Sequence, residues 1–160
     1  MTRPMPVLQP LPIKTRGTGF FAGTYRWLTA KRNWTVAEDW LFSLPGDGRV
    51  YVIPRGFVFD GASIPRLFWW FLSPVGILLI PGLIHDWCYR FDCLLMFQQG
   101  RTYTVHVFAG KSYWDYLFRE TTKEVNQVVV LQWIVWLAVK LGGSSAWKKN
   151  RNRNDHRYWE

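Results

Sequence analysis

Residues 67–84 form a stretch of eighteen residues without a single charge, and it ends directly on His85-Asp86. A run this apolar must leave water, either into a bilayer or into a protein core. Its length stands at the lower bound for crossing a membrane. Pro74, Gly76, Pro81 and Gly82 interrupt it, and a proline inside a helix removes a backbone donor and clashes with the preceding turn. Ser73-Pro74 therefore reads as a break between two short helices, buried or lying at an interface. Residues 125–139 are apolar over a shorter length and are diluted by Asn126, Gln127 and Gln132. Neither segment reads as a span.

Ahead of the uncharged stretch, side chains alternate with the period of a strand. Residues 24–29, 35–44 and 49–59 read as an antiparallel meander, with Pro45-Gly46-Asp47-Gly48 as a hairpin turn. Behind it come helical patterns at 64–72, 75–91, 111–124 and 125–141, and Gly142-Gly143 reads as the stop of the last helix. Residues 92–111 alternate around Gly100 and read as an inserted hairpin. Strands first and helices after is the α+β pattern: an N-terminal antiparallel β-meander followed by a small helical bundle. Residues 1–23 read as an extended proline-containing arm, 24–143 as a single α+β domain, and 144–160 as a basic aromatic tail. A length of 160 residues allows one such domain a sizeable core.

Two clusters carry chemistry. If residues 75–91 are helical, His85 and Tyr89 lie one turn apart on a shared face, with Asp86 about a quarter-turn away. A histidine titrates near neutral pH and can move protons, while a neighbouring carboxylate can hold a cation or a donor. The second cluster, residues 56–66, reads as a strand–turn–helix corner. Asp60-Gly61 supplies the turn, Ser63 fits a helix N-cap, Pro65 sits in the first turn, and Arg66 follows. Both clusters also fit a structural role, as helix caps, satisfied core polar groups and an architectural joint. Asp115 has the same two readings, as a partner for His85 or as one half of an i,i+4 ion pair with Arg119.

Gly56-Phe57-x-x-Asp60-Gly61-Ala62-Ser63-Ile64-Pro65-Arg66, then Phe68-Trp69-Trp70, then His85-Asp86-x-x-Tyr89 resemble a phage- and prophage-borne family, domain of unknown function 1353. The likeness runs from about residue 34 to 143, more weakly through residues 114–119 and 139–142. Trp114 stands where the family commonly has a small residue. The resemblance implies a phage-encoded protein and supplies no activity. His85-Asp86-Trp87-Cys88-Tyr89 is also similar, more loosely, to the His-Asp-x-Cys-Tyr signature of secreted phospholipases A2. That likeness implies His85 as the base that activates water, Asp115 as the group orienting its imidazole, and Tyr89 as part of the catalytic set. It further implies Ca2+ held by Asp86 with help from Asp60. The glycine-rich calcium loop and the dense disulfide framework of those enzymes are absent. Cys88 and Cys93, five residues apart, are beyond disulfide reach on a continuous helix.

Two bare cysteines, and an N-terminus with four prolines and one basic residue among its first twelve, do not read as a secretory signal. The expectation is a protein made in the cytoplasm of a bacterial host and incorporated in a virion. The net charge is +9, part of it in the tail, where Lys148, Lys149, Arg151, Arg153 and Arg157 face only Asp155 and Glu160. A basic tail bearing Trp147, Tyr158 and Trp159 fits nucleic acid, an anionic membrane surface or an acidic protein. No helix-turn-helix, zinc-knuckle or RNA-recognition signature accompanies it. Metal-dependent His-Asp phosphohydrolases need further histidines, and His106 and His156 fall in the hairpin and the tail. Eleven tryptophans are spread along the chain, and tryptophan suits places where an apolar ring meets a wet edge. Two functions follow. One is a virion- or tail-associated part that binds phage structural proteins or its own copies through a Trp-rich surface. The other is a calcium-assisted lipid esterase acting at the host envelope.

Overall fold

The structure, a computed structural model, describes residues 5–12, 19, 33–59, 78–126 and 129–152. The expected strand at 24–29, the helix at 64–72, the Ser73-Pro74 break and the corner residues Asp60, Gly61, Ser63 and Arg66 lie outside the described residues. So do residues 153–160. Strands β1 (Leu8–Pro10), β2 (Trp34–Val36), β3 (Trp40–Phe42), β4 (Tyr51–Ile53) and β5 (Val58–Phe59) lead into helix α1 (Leu79–Phe91). A hairpin, β6 (Leu94–Gln98) and β7 (Arg101–Val105), separates α1 from α2 (Lys111–Asn126) and α3 (Val129–Arg151). The fold is α+β, with antiparallel strands first and helices after.

The meander is divided between two sheets. One has the order β1-β2-β5 and the other β3-β4-β6-β7, and every pairing is antiparallel. Residues 35–44 and 49–59 are therefore not two continuous strands. Each breaks where the chain changes sheet, the first after Val36 and the second at Pro54. The break at Pro54 is a turn with Gly56 at φ 83°, a left-handed conformation that suits glycine. The N–H of Gly56 donates to the Val36 carbonyl at 2.7 Å, and the N–H of Val36 to the Phe57 carbonyl at 3.0 Å. Asp39 accepts from the Arg55 N–H at 2.8 Å, so both breaks are tied together. The turn before β4 is closed by Asp47, which accepts from the Arg49 N–H at 3.0 Å and from the Tyr51 hydroxyl at 2.5 Å. Residues of the expected arm add β1 to the edge of the first sheet.

Helix α1 runs through the core, and all of its residues except Asp86 and Arg90 are buried. A helix apolar around its circumference has to be surrounded. Trp87 packs edge-on to Phe57 with ring centroids 5.0 Å apart, and Leu83, Ile84 and Phe91 belong to the same buried cluster as Ile53, Leu94 and Leu95. Each such side chain contributes about 1.5–3 kcal/mol when fully buried. The helix starts at Leu79, with Pro81 in its first turn, where a missing N–H costs little. It ends at Asp92, whose φ of 53° places it in the left-handed region and whose N–H donates to the Cys88 carbonyl at 2.8 Å. Cys88 and Cys93 are both buried free thiols.

The last helix does not stop at Gly142-Gly143; α3 continues to Arg151. Gly143 stays helical because it passes directly over Tyr89. A Cβ there would lie 2.6 Å from the Tyr89 hydroxyl. Residues 144–151, the front of the expected tail, are therefore helix. Trp147 packs edge-on to Tyr89, 5.3 Å between centroids.

Candidate functional site

Helices α1 and α2 pack side by side, and this brings together His85, Tyr89 and Asp115, residues up to 30 positions apart in the chain. The His85 and Tyr89 rings, one turn apart, are 4.0 Å between centroids. Phe118, one turn beyond Asp115 on α2, covers the imidazole from the other helix at 4.7 Å. His85 Nε2 is 3.5 Å from Asp115 Oδ1. The Tyr89 hydroxyl donates to the same oxygen, and Lys111 Nζ donates to Oδ2 at 2.6 Å. Lys111 also reaches the carbonyls of Val139 at 3.4 Å and Lys140 at 3.3 Å, joining the start of α2 to the middle of α3. The site is closed: His85 is 7% exposed and Asp115 3%.

These contacts set the charges. Burial works to raise the Asp115 carboxyl, but hydrogen bonds from His85, Lys111 and Tyr89 and the charge on Lys111 outweigh it. The carboxyl is held below the ordinary carboxylate value, so Asp115 is an anion at neutral pH. Burial dominates at His85 and lowers its pKa below 6.5, against the hydrogen bond and charge of Asp115, with Lys111 acting in the same direction as burial. The imidazole is therefore neutral near pH 7. A carboxylate only accepts, so the ring proton sits on Nε2 and points at Asp115. Nδ1 is then the unprotonated nitrogen and the basic atom of the ring. Burial and the hydrogen bond to Asp115 push the Tyr89 hydroxyl far up, so it serves as a donor only.

The sequence places Asp115 with either His85 or Arg119. Arg119 instead pairs with Glu120 at 3.0 Å and lies over the Tyr116 and Trp133 rings. Lys111 stands at the same i,i+4 spacing on the other side of Asp115 and takes the carboxylate, so the expected Asp115–Arg119 pair is corrected. Nothing in the spacing chooses between the two cations; the approach of α3 behind Lys111 does. Asp86 is half-buried beside His85. Its expected companion Asp60 lies outside the described residues. Calcium takes six to eight oxygen ligands, and among the described residues no three His, Cys, Asp or Glu side chains gather as a metal site. Of the two expected ligands, Asp86 alone falls among the described residues.

A second polar junction, absent from the sequence reading, adjoins the first. Asp92 Oδ1 accepts from Trp114 Nε1 at 2.6 Å and from the Gly110 N–H at 3.1 Å. Arg151 Nη1 lies 3.4 Å from Asp92 Oδ2, and its Nη2 donates to the carbonyls of Tyr89 at 3.0 Å and Arg90 at 2.7 Å. One aspartate thus ties the end of α1 to the start of α2 and the end of α3. Trp114 is used here as a buried donor.

The family model described as Protein of unknown function (DUF1353) matches residues 34–139. The chain belongs to this family. The DUF1353 segment contains His85, Tyr89, Lys111 and Asp115, while Gly143, Trp147 and Arg151, which close over Tyr89 and Asp92, lie beyond it. No curated protein and no solved structure matches the chain. Among the described residues, no helix is long and apolar enough to cross a membrane.

Proposed function

We propose that this DUF1353 protein is a hydrolase of lipid esters in which His85 takes a proton from water and Asp115 holds the imidazole. The observation that carries the reading is the pairing of a neutral histidine with an ionised aspartate across two packed helices. With its proton on Nε2 against Asp115, His85 turns the basic Nδ1 to whatever stands opposite. As water is deprotonated, the imidazolium that forms is stabilised by the Asp115 anion. Tyr89 and Lys111 fix that carboxylate from its two oxygens, which keeps it ionised and immobile. The likeness of residues 85–89 to the phospholipase A2 signature supports an ester in lipid as the substrate.

A second reading is favoured by the closure of the site. Asp115 has three donors and His85 is sealed by Phe118 and Tyr89, which also suits a structural knot in a phage virion or tail component without catalysis. Fatty-acid release from mixed phospholipid vesicles separates the two, comparing the wild type with His85→Gln. Glutamine keeps a donor toward Asp115 and removes the base. Release that falls at least a hundredfold in the variant, at unchanged melting temperature, supports the hydrolase. No release by a folded wild type, with calcium or with chelator, sinks the esterase and leaves the assembly part. Release lost on chelation would add Asp86 as a metal ligand.

A further inference from the structure

The outer face of α3 has the wrong chemistry for a surface helix. A helix packed on one side ordinarily turns polar residues outward. Here the side opposite the buried Gln132, Val135 and Gly143 carries Val130, Trp133, Leu137 and Leu141, which are 67%, 50%, 49% and 74% exposed. At 1.5 Å per residue this stripe is about 17 Å long. Trp133 stacks edge-on with Trp136 at 5.7 Å, and exposed Tyr116 of α2 stands beside it under the same Arg119 guanidinium.

On the α3 side the border of the stripe carries one sign of charge, while on α2 Arg119 is paired with Glu120. Helix α3 contains no aspartate or glutamate, while Lys140, Lys148 and Lys149 are exposed on it; Arg151 is engaged with Asp92. Lys140 lies over Trp136 at 4.5 Å, and Arg119 over Trp133 at 4.6 Å. Beyond Leu141 the outward positions become Ser144 and Lys148. An apolar strip continuing into exposed cations fits a partner that is apolar inside and anionic at its edge.

We propose that the outer face of α3, built on Val130, Trp133, Leu137 and Leu141, seats in the interface of an anionic lipid bilayer. The helix lies in the plane of the interface, its apolar stripe among the upper acyl chains and its cations among the headgroups. It does not cross, since its hydropathy falls short of a span. A second copy is a poor occupant: each chain carries +9, and apposed α3 faces would bring lysine against lysine. The inference rests on the lipid-ester reading for the reason the chain meets a bilayer, and on its own surface for the binding.

The test is co-sedimentation of the full chain with vesicles of phosphatidylcholine alone and of phosphatidylcholine with phosphatidylglycerol, with fatty-acid release followed in the same samples. Binding and hydrolysis are thereby read separately, and either can fail alone. The expected result is binding to the mixed vesicles at least tenfold stronger than to the neutral ones. Leu137→Glu with Leu141→Glu should weaken it at least tenfold, both positions being exposed. Phe108→Ser, on an 82% exposed residue of the connection between β7 and α2, should leave it unchanged. Absence of vesicle binding, equal loss in Phe108→Ser, or undiminished binding in the double variant would overturn the proposal. Equally tight capture by polyglutamate would overturn it too, assigning the face to an acidic polymer.

Discussion

His85 is a neutral imidazole enclosed by aromatic rings and one anion, and that environment fixes how the molecule responds to acid. In the unfolded chain the ring takes up a proton near its ordinary value of 6.5; in the folded chain burial delays this to lower pH. Between those two values the unfolded state binds more protons, so stability is full above about pH 6.5 and is lost as pH falls. Asp115, also held below its ordinary value of 3.8, adds a second loss only in the acid range below that. The melting temperature should therefore drop as pH falls below about 6.5 in the wild type, and His85→Gln should flatten that limb. A variant curve parallel to the wild type would show that His85 is not the group responsible. At this scale the sequence was legible where spacing along one helix decides a contact, as for His85 and Tyr89. It was silent where tertiary approach decides. Lys111 and Arg119 flank Asp115 symmetrically, and only the carbonyls of Val139 and Lys140 favour the lysine.

Helix α3 shows the same limit at the scale of an element. Paired glycines after an apolar run ordinarily end a helix, because each weakens it by about 1 kcal/mol relative to alanine. Here one of them is required by close approach and the other is not. A Cβ on Gly142 meets nothing within 4 Å, whereas on Gly143 it meets a tyrosine pinned by Asp115 and Trp147. Gly142→Ala should stabilise by about 0.5–1 kcal/mol, and Gly143→Ala should destabilise by about 1–3 kcal/mol through overpacking. Urea denaturation of the two variants checks the pair, and equal shifts of the midpoint would refute the packing of α3 on α1. Asp92 gives a second case. Asp92→Asn keeps an acceptor and tolerates the left-handed cap, and should cost about 1–2 kcal/mol for the weakened link to Arg151. Asp92→Ala leaves Trp114 Nε1 and the Gly110 N–H without their acceptor and should cost at least about 3 kcal/mol. A single aspartate after a helix reads in sequence as a turn residue; its three partners come from segments up to sixty residues away.

On the scale of the whole molecule, the order of periodicities located, among the described residues, the strands between 34 and 59, the hairpin around Gly100 and the helices on either side of it, but not β1. How the strands divide between two sheets was not legible, because the hydrogen bonds that break residues 35–44 and 49–59 join segments about twenty positions apart. Composition likewise suggested a solvated tail from residue 144, yet charge density alone does not distinguish a free tail from a helix end that clamps its neighbours. Arg151 donates to Tyr89 and Arg90 carbonyls and pairs with Asp92, and its guanidinium lies over Trp147 at 4.6 Å. The last turns of α3 therefore cap α1 and cover Tyr89, so the end of α3 and α1 should behave as one cooperative unit. Truncation after Ser144 removes these contacts and should cost about 3 kcal/mol or more, lowering the melting temperature by roughly 10 °C in a chain of this length. The single substitution Arg151→Ala should give a part of that loss and leave Trp147 in place. Hydrogen exchange adds the spatial readout: protection should fall at the carboxyl-terminal turn of α1 while the four-stranded sheet keeps its own. A truncated chain that melts with the wild type, with α1 still protected, would show that these residues are a free tail and that α1 is closed by Asp92 alone.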